Sequence, residues 1–280
     1  MVIMQAKKRY VSVNGLRLHY LDWNGSSSRV MILLHGVMEN AQIWDSFAFS
    51  ASDHLRIIAL DQRGHGDSDW ASPPAYGCND YVRDLSEFIE TIGVNGVILM
   101  GHSMGALHAI KYTSMKPEKV KGLIHVDIEP SPPPENREYL NGRYNTQPSF
   151  YNSIEDYMGR IRKTIQYAEK DMIRNFASSA LKKENDGKFH IRFDKEVLKH
   201  FDQYDLLPHV RDIKCPTLII RGEESMVMRR EKAQEMNRYI SNSRLAEIPN
   251  AGHIVPIDNP KSFQQVVMDF LKDFHLIDGS

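Results

Sequence analysis

The chain has 280 residues, 41% of them hydrophobic and 25% charged, which suits one large globular domain or a core with an insertion. Its formal net charge is −1, so no global field favours nucleic acid or an acidic membrane surface as a partner. No run approaches ~18 apolar residues, so no transmembrane helix is expected.

The start, MVIMQAKKRYVSV, lacks an apolar core of about 7–15 residues, and no secretory leader is expected. RYVSV and LRLHYLDW then alternate around Asn14-Gly15, a two-residue hairpin signal. VMILLHG and RIIALD are short continuous apolar runs ending in turn residues, as in strands buried on both faces of a parallel sheet. Asn79–Ile92 places Val82, Leu85, Phe88, Ile89 and Ile92 at helical spacing, with Asn79 as N-cap and Gly93 just past the end. VILM, the turn GHSMG, a helix to about Lys116 and the strand GLIHVD follow. This alternation predicts an α/β fold, a mostly parallel sheet with helices on both faces.

The pattern breaks at the proline-rich EPSPPPENREY. From there to Asp205 the periodicity is helical with no parallel strand, which predicts a helical lid over residues 131–205 inserted into a core of residues 1–130 and 206–280. Met158 and Met172 fall on this lid, either packing it onto the core or serving an acyl-chain site. Alternation resumes with TLIIRG, a helix near Arg229–Tyr239, the strand RLAEIP and an amphipathic helix after Pro260. Lys182-Lys183 and Arg229-Arg230 read as solvated faces. Cys78 and Cys215 match neither a disulfide framework nor a zinc pattern, which predicts reduced thiols and a cytoplasmic setting.

GHSMG, Gly101–Gly105, fits G-x-S-x-G between an apolar strand and a helix, the setting of a nucleophile elbow. A sharp strand-to-helix turn strains the Ser103 backbone and projects its Oγ, and the helix N-terminus behind it favours developing negative charge. With His35-Gly36 after the third strand, DQRGHGDSD after the fourth, GHSMG after the fifth and NAGHIVPIDNP around His253, the chain resembles the α/β-hydrolase fold superfamily over nearly all its length. The resemblance implies a sheet of about eight strands with a lid inserted after the sixth.

Ser103 needs a base, and His253, on a turn with Gly252 after the last strand, is the best placed of 12 histidines. His35, His65 and His102 are expected to stabilise turns or wall the pocket. The oxyanion donors are expected to be the backbone N–H groups of Val37 and Met104. An acid must orient His253. The usual position, three residues after Gly222, is Ser225, which cannot serve. Glu223 and Glu224 beside it are candidates, as is Asp127, which ends LIHVD one strand from the nucleophile. Against Asp127 stands a structural carboxylate capping the lid's first turn. The segment VDIEP together with a serine at 225 further resembles a group of small esterases with the acid after the sixth strand. That likeness implies Asp127 as the acid and Ser225 as a supporting hydroxyl. Asp61 and Asp69 are expected to bond local backbone, and Trp44 to be core or pocket wall.

The expectation is a serine hydrolase acting on a small-molecule carboxylic ester, without cofactor or metal. Lactone, thioester and C–C hydrolysis, acyl transfer and perhydrolysis share the same triad. A ligand receptor with vestigial hydrolysis is the rival of another class, favoured only by the missing acid at Ser225.

Overall fold

Lys7–Val13 (β1) and Leu16–Trp23 (β2) form an antiparallel hairpin across Asn14-Gly15. Both turn residues have positive φ, 47° and 77°, the left-handed pair that a two-residue turn with this twist requires. The structure, a computed structural model, describes residues 6–23, 27–200 and 204–277, and expectations falling on the other residues lie outside it.

Val30–Leu34 (β3) is buried at every position, as an unalternating apolar run inside a parallel sheet should be. The chain continues through helix Asp45–Ala51 (α1), Arg56–Leu60 (β4), helix Cys78–Thr91 (α2), Val97–His102 (β5), helix Met104–Met115 (α3) and Val120–Val126 (β6). Helix α2 starts two residues earlier than Asn79 as N-cap would set it. Gly77 is its N-cap, with the Asp80 carboxylate accepting the Gly77 N–H at 3.0 Å. Asn79 instead accepts from Lys111 Nζ on α3 at 2.6 Å, so a tertiary contact has taken the side chain from the cap.

After β6 come helix Pro134–Thr146 (α4), Phe150–Tyr151 (β7), helices Ile154–Ile161 (α5) and Lys170–Ala180 (α6), Leu181–Lys183 (β8), Phe189–Ile191 (β9) and the short helix Glu196–Lys199 (α7). This segment is helical as expected, but β7, β9 and β8 add a small antiparallel sheet. Strands of two and three residues are too short to show a period of two. The one readable signal was Asp186-Gly187, where Gly187 takes φ 77° in the turn between β8 and β9.

Helix Leu207–Arg211 (α8), Thr217–Gly222 (β10), helix Arg230–Tyr239 (α9), Ser243–Ile248 (β11), the turn of helix Val255–Asp258 (α10) and helix Pro260–Asp273 (α11) complete the chain. The main sheet has eight strands in the order β1-β2-β4-β3-β5-β6-β10-β11, parallel from β4 onward. Helices cover both faces: α1 packs on α11, while α2, α3, α8 and α9 follow one another in contact. Trp44 is fully buried against Phe263 and belongs to the core. No helix of the described residues is long and apolar enough to cross a membrane.

Candidate active site

The order of strands brings the ends of β5, β6 and β10 side by side, and the turn after β11 joins them. Ser103 sits between β5 and α3 at φ 51°, ψ −121°, a strained conformation for a residue with a Cβ. The two flanking glycines make the turn possible. A Cβ on Gly101 would lie 2.4 Å from the Gly105 carbonyl oxygen, and one on Gly105 would lie 2.4 Å from that of Leu34. Backbone fills both places, so no side chain could move aside.

Ser103 Oγ lies 3.0 Å from His253 Nε2, and His253 Nδ1 lies 2.8 Å from Asp127 Oδ2. Asp127 is fully buried at the end of β6, with φ 53°. Its Oδ1 accepts the Gly222 N–H at 2.9 Å, and Ser225 Oγ–H donates to its Oδ2 at 2.5 Å. The Ser225 oxygen in turn accepts the N–H groups of Val227 and Met228 at 3.1 and 3.3 Å. The buried carboxylate therefore has a donor on each oxygen besides the imidazole, which is what keeps a charge tolerable in the interior. Glu223 and Glu224 are exposed, and neither reaches His253. The four residues singled out in the sequence thus form one continuous line, Ser103 to His253 to Asp127 to Ser225.

Glu129 of VDIEP and Arg221 and Gly222 of RGEESM brace that line. Glu129, buried, takes a two-pronged bond from Arg229 at 2.7 and 2.8 Å, so Arg229 is a clamp between two loops and not simply part of a solvated face. Arg221, buried beneath the same turn, donates to the carbonyls of Ser225 and Met228 at 3.2 and 2.7 Å. Gly222 passes so near the loop carrying His253 that a Cβ there would lie 2.1 Å from the Gly252 carbonyl oxygen. Asp258 accepts the Gly252 N–H at 2.9 Å and the Tyr167 N–H at 3.3 Å, joining the loop carrying His253 to the inserted segment. Burial raises the Asp258 carboxyl pKa, only partly offset by these N–H groups.

The backbone N–H groups of Val37 and Met104 find no acceptor among the described residues. Val37 and Ser103 both line a cavity of about 390 Å³, with His253 beside them. Its other walls are mainly apolar, among them Ile128, Leu140, Ile165 and Phe176. Met38 and Met226 line it, whereas Met158 and Met172 do not. Arg143 also reaches the cavity. Its guanidinium touches Gln147 Oε1 at 3.1 Å and Met38 Sδ at 3.8 Å, and its Nε has no partner among the described residues.

The remaining family-motif residues hold turns. Asp61 accepts the N–H groups of Ala41 and Asp67 at 2.6 and 2.9 Å and bonds His19 at 2.7 Å. Asp69 accepts the Arg17 N–H at 2.8 Å. His35 donates from Nδ1 to the Gly36 carbonyl and accepts the Gln62 N–H at Nε2. Burial lowers its pKa and that of His65, to about 3, so both are neutral. His102 differs: it bonds Glu39, a buried residue that the sequence reading passed over. The available signal was a carboxylate three residues after His35-Gly36 in an otherwise apolar stretch. Neither Cys78 nor Cys215 is in a disulfide. Among the described residues no group of three or more His, Cys, Asp or Glu is placed to share a metal ion.

The chain is similar to known hydrolases. The chain is 26% identical over 247 residues to a 2-(acetamidomethylene)succinate hydrolase from Mesorhizobium japonicum, spanning 88% of each. The crystal structure of E-2-(acetamidomethylene)succinate hydrolase superposes with a TM-score of 0.85 at 26% identity, over 95% of this chain and 99% of that one. An N-formylmaleamate deformylase from Pseudomonas putida is 27% identical over 270 residues, 93% of this chain and 95% of its own. An esterase from Mycobacterium tuberculosis is 26% identical over 259 residues, 90% of this chain and 85% of its own. These relatives support hydrolytic activity at that general level. The model of the alpha/beta hydrolase fold matches residues 29–260, and the chain belongs to that family.

Proposed function

We propose that the protein is a serine hydrolase that cleaves small carboxylic esters through an acyl-enzyme, with residues 131–205 as its lid. One observation carries the reading: Ser103 Oγ, His253 and Asp127 stand in hydrogen-bond series, 3.0 and 2.8 Å apart, at a mainly apolar cavity. Ser103 Oγ attacks the ester carbonyl as its proton passes to His253 Nε2. The carbonyl oxygen, now negative, is held by the Val37 and Met104 N–H groups. His253 returns the proton to the departing alkoxide, then takes one from water. That water attacks the acyl carbon, and Ser103 leaves with the proton restored. Asp127 holds the imidazole in the tautomer that presents an unprotonated Nε2 to Ser103, and Ser225 holds Asp127.

Thioester, lactone and C–C substrates, acyl transfer and perhydrolysis use the same groups, so the choice of ester rests on the generality of this chemistry. The receptor alternative drew on the serine at 225, and that serine has a use here beside the buried Asp127. A second substrate reading has its own observation. Two relatives are named for small N-acylated carboxylates, and Arg143 brings to the cavity a cation with no carboxylate within ion-pair distance among the described residues. A small amide or ester carrying a carboxylate would place that group on Arg143.

The test is initial rates on p-nitrophenyl esters from acetyl to octanoyl, wild type beside Ser103→Ala. Turnover falling in the variant to under about ten per cent of wild type, with unchanged thermal stability, is expected. A variant that retains more than this removes Ser103 as the nucleophile.

A further inference from the structure

His102, buried inside the nucleophile turn, bonds at both ring nitrogens. Nδ1 lies 2.9 Å from Glu39 Oε2 and Nε2 lies 2.8 Å from the carbonyl oxygen of His253. A carboxylate and a carbonyl both accept, so the ring must donate from both nitrogens, which only the imidazolium can do. His35 and His65 each face one acceptor and one backbone N–H and are satisfied when neutral. Glu39 Oε2 also accepts the Gly36 N–H, at 2.6 Å, which favours the ionised carboxylate. Gly36 leaves room for this. A Cβ there would lie 2.9 Å from Glu39 Oε2 and 3.0 Å from His102 Nδ1.

The charge states agree with the geometry. Burial works against the charge on His102, yet the Glu39 carboxylate, its hydrogen bond and the His253 carbonyl together hold the pKa above its ordinary value. Burial likewise opposes the Glu39 charge, and His102 with the Gly36 N–H outweighs it, holding that carboxyl below its ordinary value. One ion pair is therefore bonded to three segments at once: the loop carrying Val37, the turn carrying Ser103 and the loop carrying His253. The His102 and His253 rings lie 4.7 Å apart.

We infer that Glu39 and His102 are positioning residues, a buried ion pair that fixes the Val37 oxyanion donor and the His253 base in register with Ser103. This rests on the roles given to those three residues above. Glu39 borders the cavity, but its Oε2 is engaged by Gly36 and His102, so the pair acts through the backbone it holds. A purely structural pair would lower stability when broken and leave the rate per folded molecule alone. A positioning pair would slow the chemical step at nearly unchanged substrate affinity.

The experiment compares wild type with Glu39→Gln, which keeps the shape and an oxygen for the Gly36 N–H. Two quantities are read: nitrogen NMR of the His102 ring at neutral pH, and the rate at which a fluorophosphonate modifies Ser103. In wild type both ring nitrogens should be protonated. In the variant the ring should turn neutral, and Ser103 should react at least about tenfold more slowly, with kcat on an ester falling alike and KM within about twofold. A neutral His102 in wild type, or a variant reacting at the wild-type rate, overturns the inference. If Glu39→Gln does not fold, His102→Gln carries the same kinetic comparison, with the same slowing expected and a wild-type rate again overturning it. Unreactive wild-type Ser103 would instead sink the proposed function and the positioning role with it, whereas the His102 charge state would still be read.

Discussion

Among the described residues Ser225 Oγ is the only side-chain donor to Asp127 apart from His253, and it also takes two backbone N–H groups of the turn after β10. Ser225→Ala would leave Val227 and Met228 without that acceptor and Asp127 with one donor fewer. The expected cost is about 1–3 kcal/mol of stability, read by urea unfolding, with kcat lowered roughly tenfold. A variant unchanged in both would show that the hydroxyl supports nothing. Much at this scale was legible. A serine where an acid was due, together with VDIEP, pointed to Asp127, and the geometry brings Asp127 to His253 and Ser225 to Asp127. What was passed over was Glu39, because a lone carboxylate three residues after His35-Gly36 is a weak signal while nothing in the sequence marks its partner. Its partner His102 becomes special only when the base loop folds over it.

Elements meet here through backbone, and glycine decides how closely. Gly222 ends β10 against the base loop, where a Cβ would lie 2.1 Å from the Gly252 oxygen and 2.6 Å from that of Ala251. Gly222→Ala must push His253 away from Asp127. It should lower the melting temperature, with overpacking of this kind costing about 1–3 kcal/mol, and lower kcat further than the stability loss alone explains. Gly142, inside α4 with open space around its Cβ position, is the control. Gly142→Ala should stabilise by about 0.5–1 kcal/mol in the same thermal melts. A destabilised Gly142→Ala or an indifferent Gly222→Ala would contradict the packing described. These elements were readable because burial marks them, by a helical period in α2 and by an unbroken apolar run in β3. Caps and the short strands β7 to β9 were not, because single tertiary contacts such as that of Asn79 with Lys111 decide them.

Across the whole molecule, a sheet of about eight strands was implied by the family resemblance that the motifs carry, while the inserted segment, which supplies walls of the cavity, has no such motifs. The buried Glu39–His102 pair ties loops from distant parts of the chain, so its titration should be felt by the fold as a whole. His102 is held above its ordinary 6.5, so its contribution is fully present below pH 6.5 and lost as pH rises through the raised value. Glu39 is held below its ordinary 4.5, so its contribution is present above pH 4.5 and lost as pH falls through the lowered value. Asp127 and His253 face the pair, and His35 and His125 feel its charge. These groups remain in both proteins when wild type is compared with Glu39→Gln. The stability gap between the two should therefore be widest between pH 4.5 and 6.5 and narrow on either side. A gap independent of pH would mean that the pair is not charged.

The most direct measurement of the central claim, that Ser103 and His253 draw their acid from the end of β6, is kcat/KM on p-nitrophenyl acetate for Asp127→Asn beside Glu224→Gln. The account predicts a fall of roughly 100-fold or more for Asp127→Asn, as the imidazole loses its tautomer and its counter-charge, and a value within about twofold of wild type for Glu224→Gln. The reverse ranking would contradict it and return the acid to the turn after β10.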